Sequence, residues 1–229
     1  MEATRDPTFG GALRAGRERG FLIGSHVPQV PIGMVLLTAM SDGRQDHSQD
    51  SLVGQVLRDR GLATLSIRLL STAEEAQERR RRYLRFHSEL FAERLEAMVD
   101  WVNAIPTMEH VRVGLMACAA DAAAAALVAA RRPDCVAALV LCDALLDEVE
   151  ASLPLVKAPT LLVVGKRDLP ILAMSEKALR LLGGLKDLAM VTQASNGFPE
   201  SGSLREASRI AGDWFLVHLV QPALASFAA

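Results

Sequence analysis

Residues 111–131 read Val111-Arg-Val-Gly-Leu-Met-Ala-Cys-Ala-Ala-Asp-Ala-Ala-Ala-Ala-Ala-Leu-Val-Ala-Ala-Arg131, and this stretch decides the fold. Its opening, 111–116, is a short apolar run with the length of a buried strand. Ala117, Cys118, Ala119, Ala120 and Asp121 then form a tight turn of small residues. Beyond them alanine, the best helix former, dominates as far as Arg131. A strand that turns directly into a helix is the building unit of a parallel sheet.

The flanking sequence repeats that unit. Apolar runs at 32–38, 63–69, 136–142, 160–164 and 188–192 read as strands, the first bounded by Pro31. Between them, 50–60 has helical spacing, with Leu52, Val53, Val56 and Leu57 on one face and Gly61 as its stop. Residues 72–104 are predicted helical in two pieces, and Leu90, Phe91, Leu95, Met98, Val99 and Val102 form the apolar stripe of the second. Further helices are predicted at 171–182 and 203–219, and a polar loop at 41–49. Near-continuous apolar strands alternating with helices imply an α/β fold. They predict a mostly parallel central sheet of about six strands, helices on both faces and right-handed crossovers. Chemistry then belongs beyond the carboxyl ends of the strands. Residues 1–20, polar and rich in Gly and Arg, read as an N-terminal arm, and 21–229 as a single domain.

Composition narrows the function classes. The chain has 229 residues, half of them apolar, enough for one sizeable core. A formal charge of −2 gives no electrostatic reason to expect nucleic acid. The basic run Arg79-Arg80-Arg81-Arg82 lies among glutamates and reads as a solvated helix face. The start is charged, without an apolar signal core, and no run approaches the ~20 apolar residues of a membrane span. A cytoplasmic protein without membrane contact is expected. Cys118, Cys135 and Cys142 lie in or beside apolar strands, and the five histidines are scattered. Neither a metal nor a cofactor is expected from these spacings.

In order and spacing the chain resembles the dienelactone-hydrolase-like branch of the α/β-hydrolases, from about Gly33 to Leu219. Gly33-Met-Val-Leu-Leu stands where that family has its oxyanion-loop strand. Leu84-Arg-Phe, Leu90-Phe-Ala-Glu-Arg-Leu and Val99-Asp-Trp-Val match the long helix before its nucleophile elbow. Val113-Gly-Leu-Met matches the elbow strand, Ala129-Ala-Arg-Arg-Pro-Asp the end of the next helix and Ala158-Pro-Thr-Leu-Leu-Val-Val-Gly the acid-bearing strand. Asp213-Trp-Phe-Leu matches the final helix.

The resemblance implies a serine–histidine–acid triad with the serine in a G-x-S-x-G turn. Position by position, the serine falls on Ala119, the histidine on Asn196 and the acid on Asp168. The oxyanion loop falls on Ala39-Met40-Ser41-Asp42-Gly43, without the family's usual His-Gly. Alanine cannot attack a carbonyl, and asparagine cannot take a proton near neutral pH. With Ala117 and Asp121 in place of the elbow glycines, the turn is expected to relax from its strained form.

Replacement groups exist on paper. Cys118 adjoins the nucleophile position near a helix N-terminus, where a thiol's pKa can fall, although a side chain one residue early points elsewhere. Asp121 suits either a role at the helix start or that of a shifted carboxylate nucleophile. Asp143 ends the fourth strand and is weighed as a turn residue or an alternative acid. Asp168 without its histidine is weighed as a cap. His47 and His87 read as loop and capping residues; His110 and His218 carry no predicted chemistry. The pocket is expected to be bordered by Ala39, Met40, Ser41, Cys118, Ala119, Asp121, Asp143, Asp168 and Asn196. Three readings follow. One is a degenerate homologue that binds a small ligand or protein partner without ester hydrolysis. The next is an active esterase, lactonase or other enzyme using Cys118 or an aspartate. The last is an interaction subunit such as a homodimer.

Overall fold

The computed structural model describes residues 22–38, 47–71, 73–74, 77 and 87–220. Seven strands form one sheet: β1 (Leu22–His26), β2 (Met34–Thr38), β3 (Ala63–Ile67), β4 (Val113–Cys118), β5 (Ala138–Cys142), β6 (Thr160–Gly165) and β7 (Lys186–Val191). Their order is β1-β3-β2-β4-β5-β6-β7. All neighbours are parallel except the edge pair β1 and β3. The predicted architecture holds, with one strand added. Leu-Ile-Gly-Ser-His lacks the dense apolar character of the interior strands, so β1 gave no sequence signal.

Among the described residues, five helices cover the sheet: α1 (His47–Arg58), α2 (Ser88–Asn103), α3 (Asp121–Arg131), α4 (Leu169–Leu181) and α5 (Ser203–Leu219). One apolar cluster lies under α2 and α3 and the other under α1 and α5. Residues β2, β4, β5 and β6 are buried on both faces because helices pack on both sides, which is why they read as unbroken apolar runs. Helix α3 is buried almost all round, from Asp121 to Ala129. Its alanines let it approach the sheet and α2 more closely than branched side chains would. On the other face, a Cβ on Gly114 would stand 2.6 Å from a ring carbon of Phe215, so this glycine lets α5 press onto β4.

Boundaries shift by a few residues. Strand β4 runs on through Cys118, α1 begins at His47, inside the loop predicted at 41–49, and Asp147–Leu155 forms a 3-10 segment where no element was expected. The second half of the predicted 72–104 helix is α2; most of the first half lies outside the described residues. The topology matters most between β2 and β4. From β2 the chain crosses to β3 on one side, then returns to β4 on the other. Loops leaving the carboxyl ends of β2 and β4 therefore diverge and open a crevice there.

Candidate active site

At the end of β4 the turn holds a strained residue. Ala119 has φ 50, the left-handed region that L-residues avoid at a cost of roughly 1–2 kcal/mol. Three backbone hydrogen bonds hold it, one of them from the Ala122 N–H to its carbonyl at 3.3 Å. Its N–H donates to the Cys142 carbonyl at 3.0 Å, and its own carbonyl accepts from the Leu145 N–H at 3.1 Å. The expected relaxation of the turn does not occur. The strain stays in place, with Ala117 and Asp121 flanking the turn, because β5 and its following loop fix both backbone groups of Ala119. Among the described residues, the other positive-φ positions without a glycine are Asp143 (φ 43) and Phe198 (φ 54). Asp143 directly follows β5, and Phe198 lies in the loop that follows β7. Strain therefore gathers at the carboxyl end of the sheet, as it does at functional sites.

Asp143 is the organising group. Its side chain is buried, and its two oxygens accept from different segments: Gly165 N–H at 3.1 Å and Gly197 N–H at 2.7 Å. Burial raises its pKa, opposed by these two amides and supported by the nearby Asp168 carboxylate. The weighed roles of turn residue and alternative acid thus understate it. Asp143 ties the ends of β5 and β6 to the loop that carries Asn196. That loop is further held by Glu200, which accepts from both Ser195 N–H (3.0 Å) and Ser195 Oγ (2.6 Å). Asn196 itself is exposed.

Asp168 is the N-cap of α4, and its Oδ1 accepts from Ile171 N–H at 3.1 Å. Asp121 is the first residue of α3 and is 1% exposed, so its carboxylate lies by the positive end of the helix dipole. The N-cap position itself belongs to Ala120. His87 takes the N-cap position of α2 without a side-chain capping bond. Ala39, Met40 and Ser41 lie outside the described residues, as does any statement about the His47 side chain.

Cys118 ends β4 and turns its side chain to the α1 and α5 face. It pairs in register with Cys142 and packs with the α1/α5 cluster. Its pKa is raised: the Cys142 thiol is the main cause, followed by burial and by the carboxylates of Asp143 and Asp121. A thiol so placed stays protonated, the reverse of an activated nucleophile. The cavity beside it is lined by Leu37, Thr38, Met116, Cys142 and Phe198 among others, not by Ala119, Asp143, Asp168 or Asn196. A larger polar groove, about 410 Å³, opens at the opposite, amino ends of β4 and β5 near Arg112 and Lys157. Among the described residues no set of three or more His, Cys, Asp or Glu is placed to hold a metal, and no helix is long and apolar enough to cross a membrane.

A parallel sheet with its crevice between β2 and β4, and a strained turn from β4 into a buried helix, defines an α/β-hydrolase. Within that class the chain belongs to the dienelactone hydrolase family. It is 38% identical to the dienelactone hydrolase of Anabaena variabilis ATCC 29413, over 85% of this chain and 90% of that one, with a TM-score of 0.80. The esterase domain of a Rhodothermus marinus protein shares the fold at TM-score 0.68 and 15% identity, over 85% and 92% of the two chains. Two proteins of Mycobacterium tuberculosis, from strains CDC 1551 / Oshkosh and ATCC 25618 / H37Rv, are each named "Putative phosphoribosyl transferase". Each is 36% identical over 197 residues, 86% of this chain. The chain spans 43% of the length of these two relatives. No protein-family model matches it.

Proposed function

We propose that this chain is a non-hydrolytic member of its family, which binds a small ligand or a protein partner without cleaving esters. One observation carries the reading: the residue held at φ 50 in the elbow is Ala119, which has no nucleophilic atom. The remaining chemistry points the same way. Asn196 replaces the base, Asp168 is committed to capping α4, and Asp143 to binding two backbone amides. The cysteine beside the elbow holds its proton. Three free thiols suit a reducing, cytoplasmic setting. For a protein partner, a phosphoribosyl transferase is the first candidate, because relatives named for that activity carry the matched stretch within much longer chains.

The second reading, an enzyme with a relocated group, keeps one supporting observation: Asp121 is a carboxylate buried within two residues of Ala119. A panel of short-chain aryl esters, tested with wild type beside Cys118→Ala, Asp121→Asn and Asp168→Asn, separates the two. Turnover at background for all four proteins supports binding without hydrolysis. Turnover by wild type that one substitution abolishes overturns it and names the relocated group.

A further inference from the structure

Three sulfur atoms meet near the carboxyl ends of β4 and β5. Side chains two apart on a strand share a face, so Met116 and Cys118 point to the same side of β4. Cys142 is the register partner of Cys118 on β5, which brings its thiol alongside on that same side. All three line one cavity, together with Leu37, Thr38 and Phe198. The cavity measures about 20 Å³ of space open to the centre of a water molecule. That holds a single water or a single ion and excludes an organic ester.

The donor set decides which. Two thiols and a thioether are soft ligands, which select copper(I)-like cations over hard or borderline ones. The surroundings are otherwise apolar. The carboxylates of Asp121 and Asp143 are close enough to act on Cys118, and they favour a positive charge in the cavity.

We propose that the cavity between the ends of β4 and β5 is a site for one soft monovalent cation, bound by the sulfurs of Cys118 and Cys142 with the Met116 thioether as third donor. Binding is an exchange without redox change. One cation enters, three metal–sulfur bonds form, and one thiol proton leaves to solvent, so the net charge of the cavity is unchanged. Affinity therefore rises with pH, because a proton is released on binding.

Silver(I) in nitrate buffer is the probe, since it shares copper(I)'s preference for sulfur and does not cycle between oxidation states. The whole chain, fully reduced, is titrated and followed by native mass spectrometry and thermal unfolding. One equivalent is expected to bind and to raise the melting temperature, with affinity increasing from pH 6 to pH 8. Cys118→Ser and Cys142→Ser each weaken binding by at least about 100-fold, Met116→Leu by about 10-fold, while Cys135→Ser leaves it unchanged. Circular dichroism establishes that the variants are folded, and Cys142→Ala repeats the loss without a new hydroxyl. Silver uptake that survives loss of Cys118 or Cys142, or that tracks Cys135, marks an adventitious ion only and overturns the proposal. So does a protein that takes up silver only once unfolded. None of these readouts depends on ester turnover, so this proposal and the non-hydrolytic reading fail separately.

Discussion

Asp143 accepts a hydrogen bond from the backbone amide of Gly197 at 2.7 Å, although the two residues lie 54 positions apart. With the second bond, from Gly165, this carboxylate fastens the loop bearing Asn196 to the carboxyl edge of the sheet. Asp143→Ala leaves two amides without their acceptor in a buried site. A loss of about 2–4 kcal/mol in unfolding free energy is expected, read from urea midpoints, with faster amide exchange in 193–200. A loss below about 0.5 kcal/mol counts against the bridge.

The same carboxyl titrates. Its folded pKa lies above the ordinary aspartate value because burial disfavours the charge. The folded state therefore binds the proton more tightly than the unfolded chain does. The sign follows: stability contributed by this group is fully present below the unfolded value and declines as pH rises through the raised folded value. Asp143→Asn does not titrate, so wild type gains on it as pH falls toward 4. A stability difference that is flat from pH 4 to pH 7 contradicts the raised pKa.

Ala119→Gly tests the strain at the elbow. Glycine adopts φ 50 freely, while its more flexible unfolded chain takes back part of the gain. A net stabilisation of about 0.5–1 kcal/mol is expected by chemical denaturation. Destabilisation of that size contradicts a strained turn.

These residues also show where the sequence stopped being informative. Helix α3 was legible because its alanines have one preference and no competing signal. The interior strands were legible because burial on both faces leaves only apolar residues. The φ of Ala119 was not, since alanine has no liking for that region. Bonds to Cys142 and Leu145 impose it, and those are properties of the assembled sheet. The bridge made by Asp143 was hidden for the same reason, its partners lying 22 and 54 residues away. The sulfur cluster was half legible. Met116 and Cys118 share a face by simple alternation, but only the register of β5 brings Cys142 beside them.

Glu74 lies a few residues beyond β3 and is held by Ser71 and Arg94. It accepts from Ser71 N–H at 2.8 Å while Ser71 Oγ accepts from Glu74 N–H at 3.3 Å, a reciprocal capping pair. Arg94 of α2 also donates to both its oxygens, at 2.6 and 2.9 Å. These bonds, the arginine first, hold its pKa at about 2 against an ordinary 4.5. A depressed acid contributes stability above its unfolded value and loses it as pH falls through the folded one. Glu74→Gln is expected to cost about 1–3 kcal/mol at pH 7, with the difference shrinking between about pH 4.5 and pH 2. A pH-independent difference contradicts the ionised pair.

A serine at 119 and a histidine at 196 test whether the scaffold brings these two positions together. The backbone at position 119 already has the elbow's geometry, held from both sides, so a serine there needs no rearrangement to project as a nucleophile. It does need a base. The loop at 196 is fixed to the sheet through Asp143 and Glu200, so a histidine placed there starts from an ordered backbone. Ala119→Ser alone is expected to react with an organophosphonate ester no faster than a surface serine. Ala119→Ser combined with Asn196→His is expected to react at least about 100-fold faster, the usual worth of a positioned base. The label should fall on position 119, and the rate should rise through a pH near the ordinary histidine value of about 6.5. Equal rates in the single and double variants mean that the loop does not bring position 196 within reach of the turn at 119, so that the two positions do not form a catalytic pair.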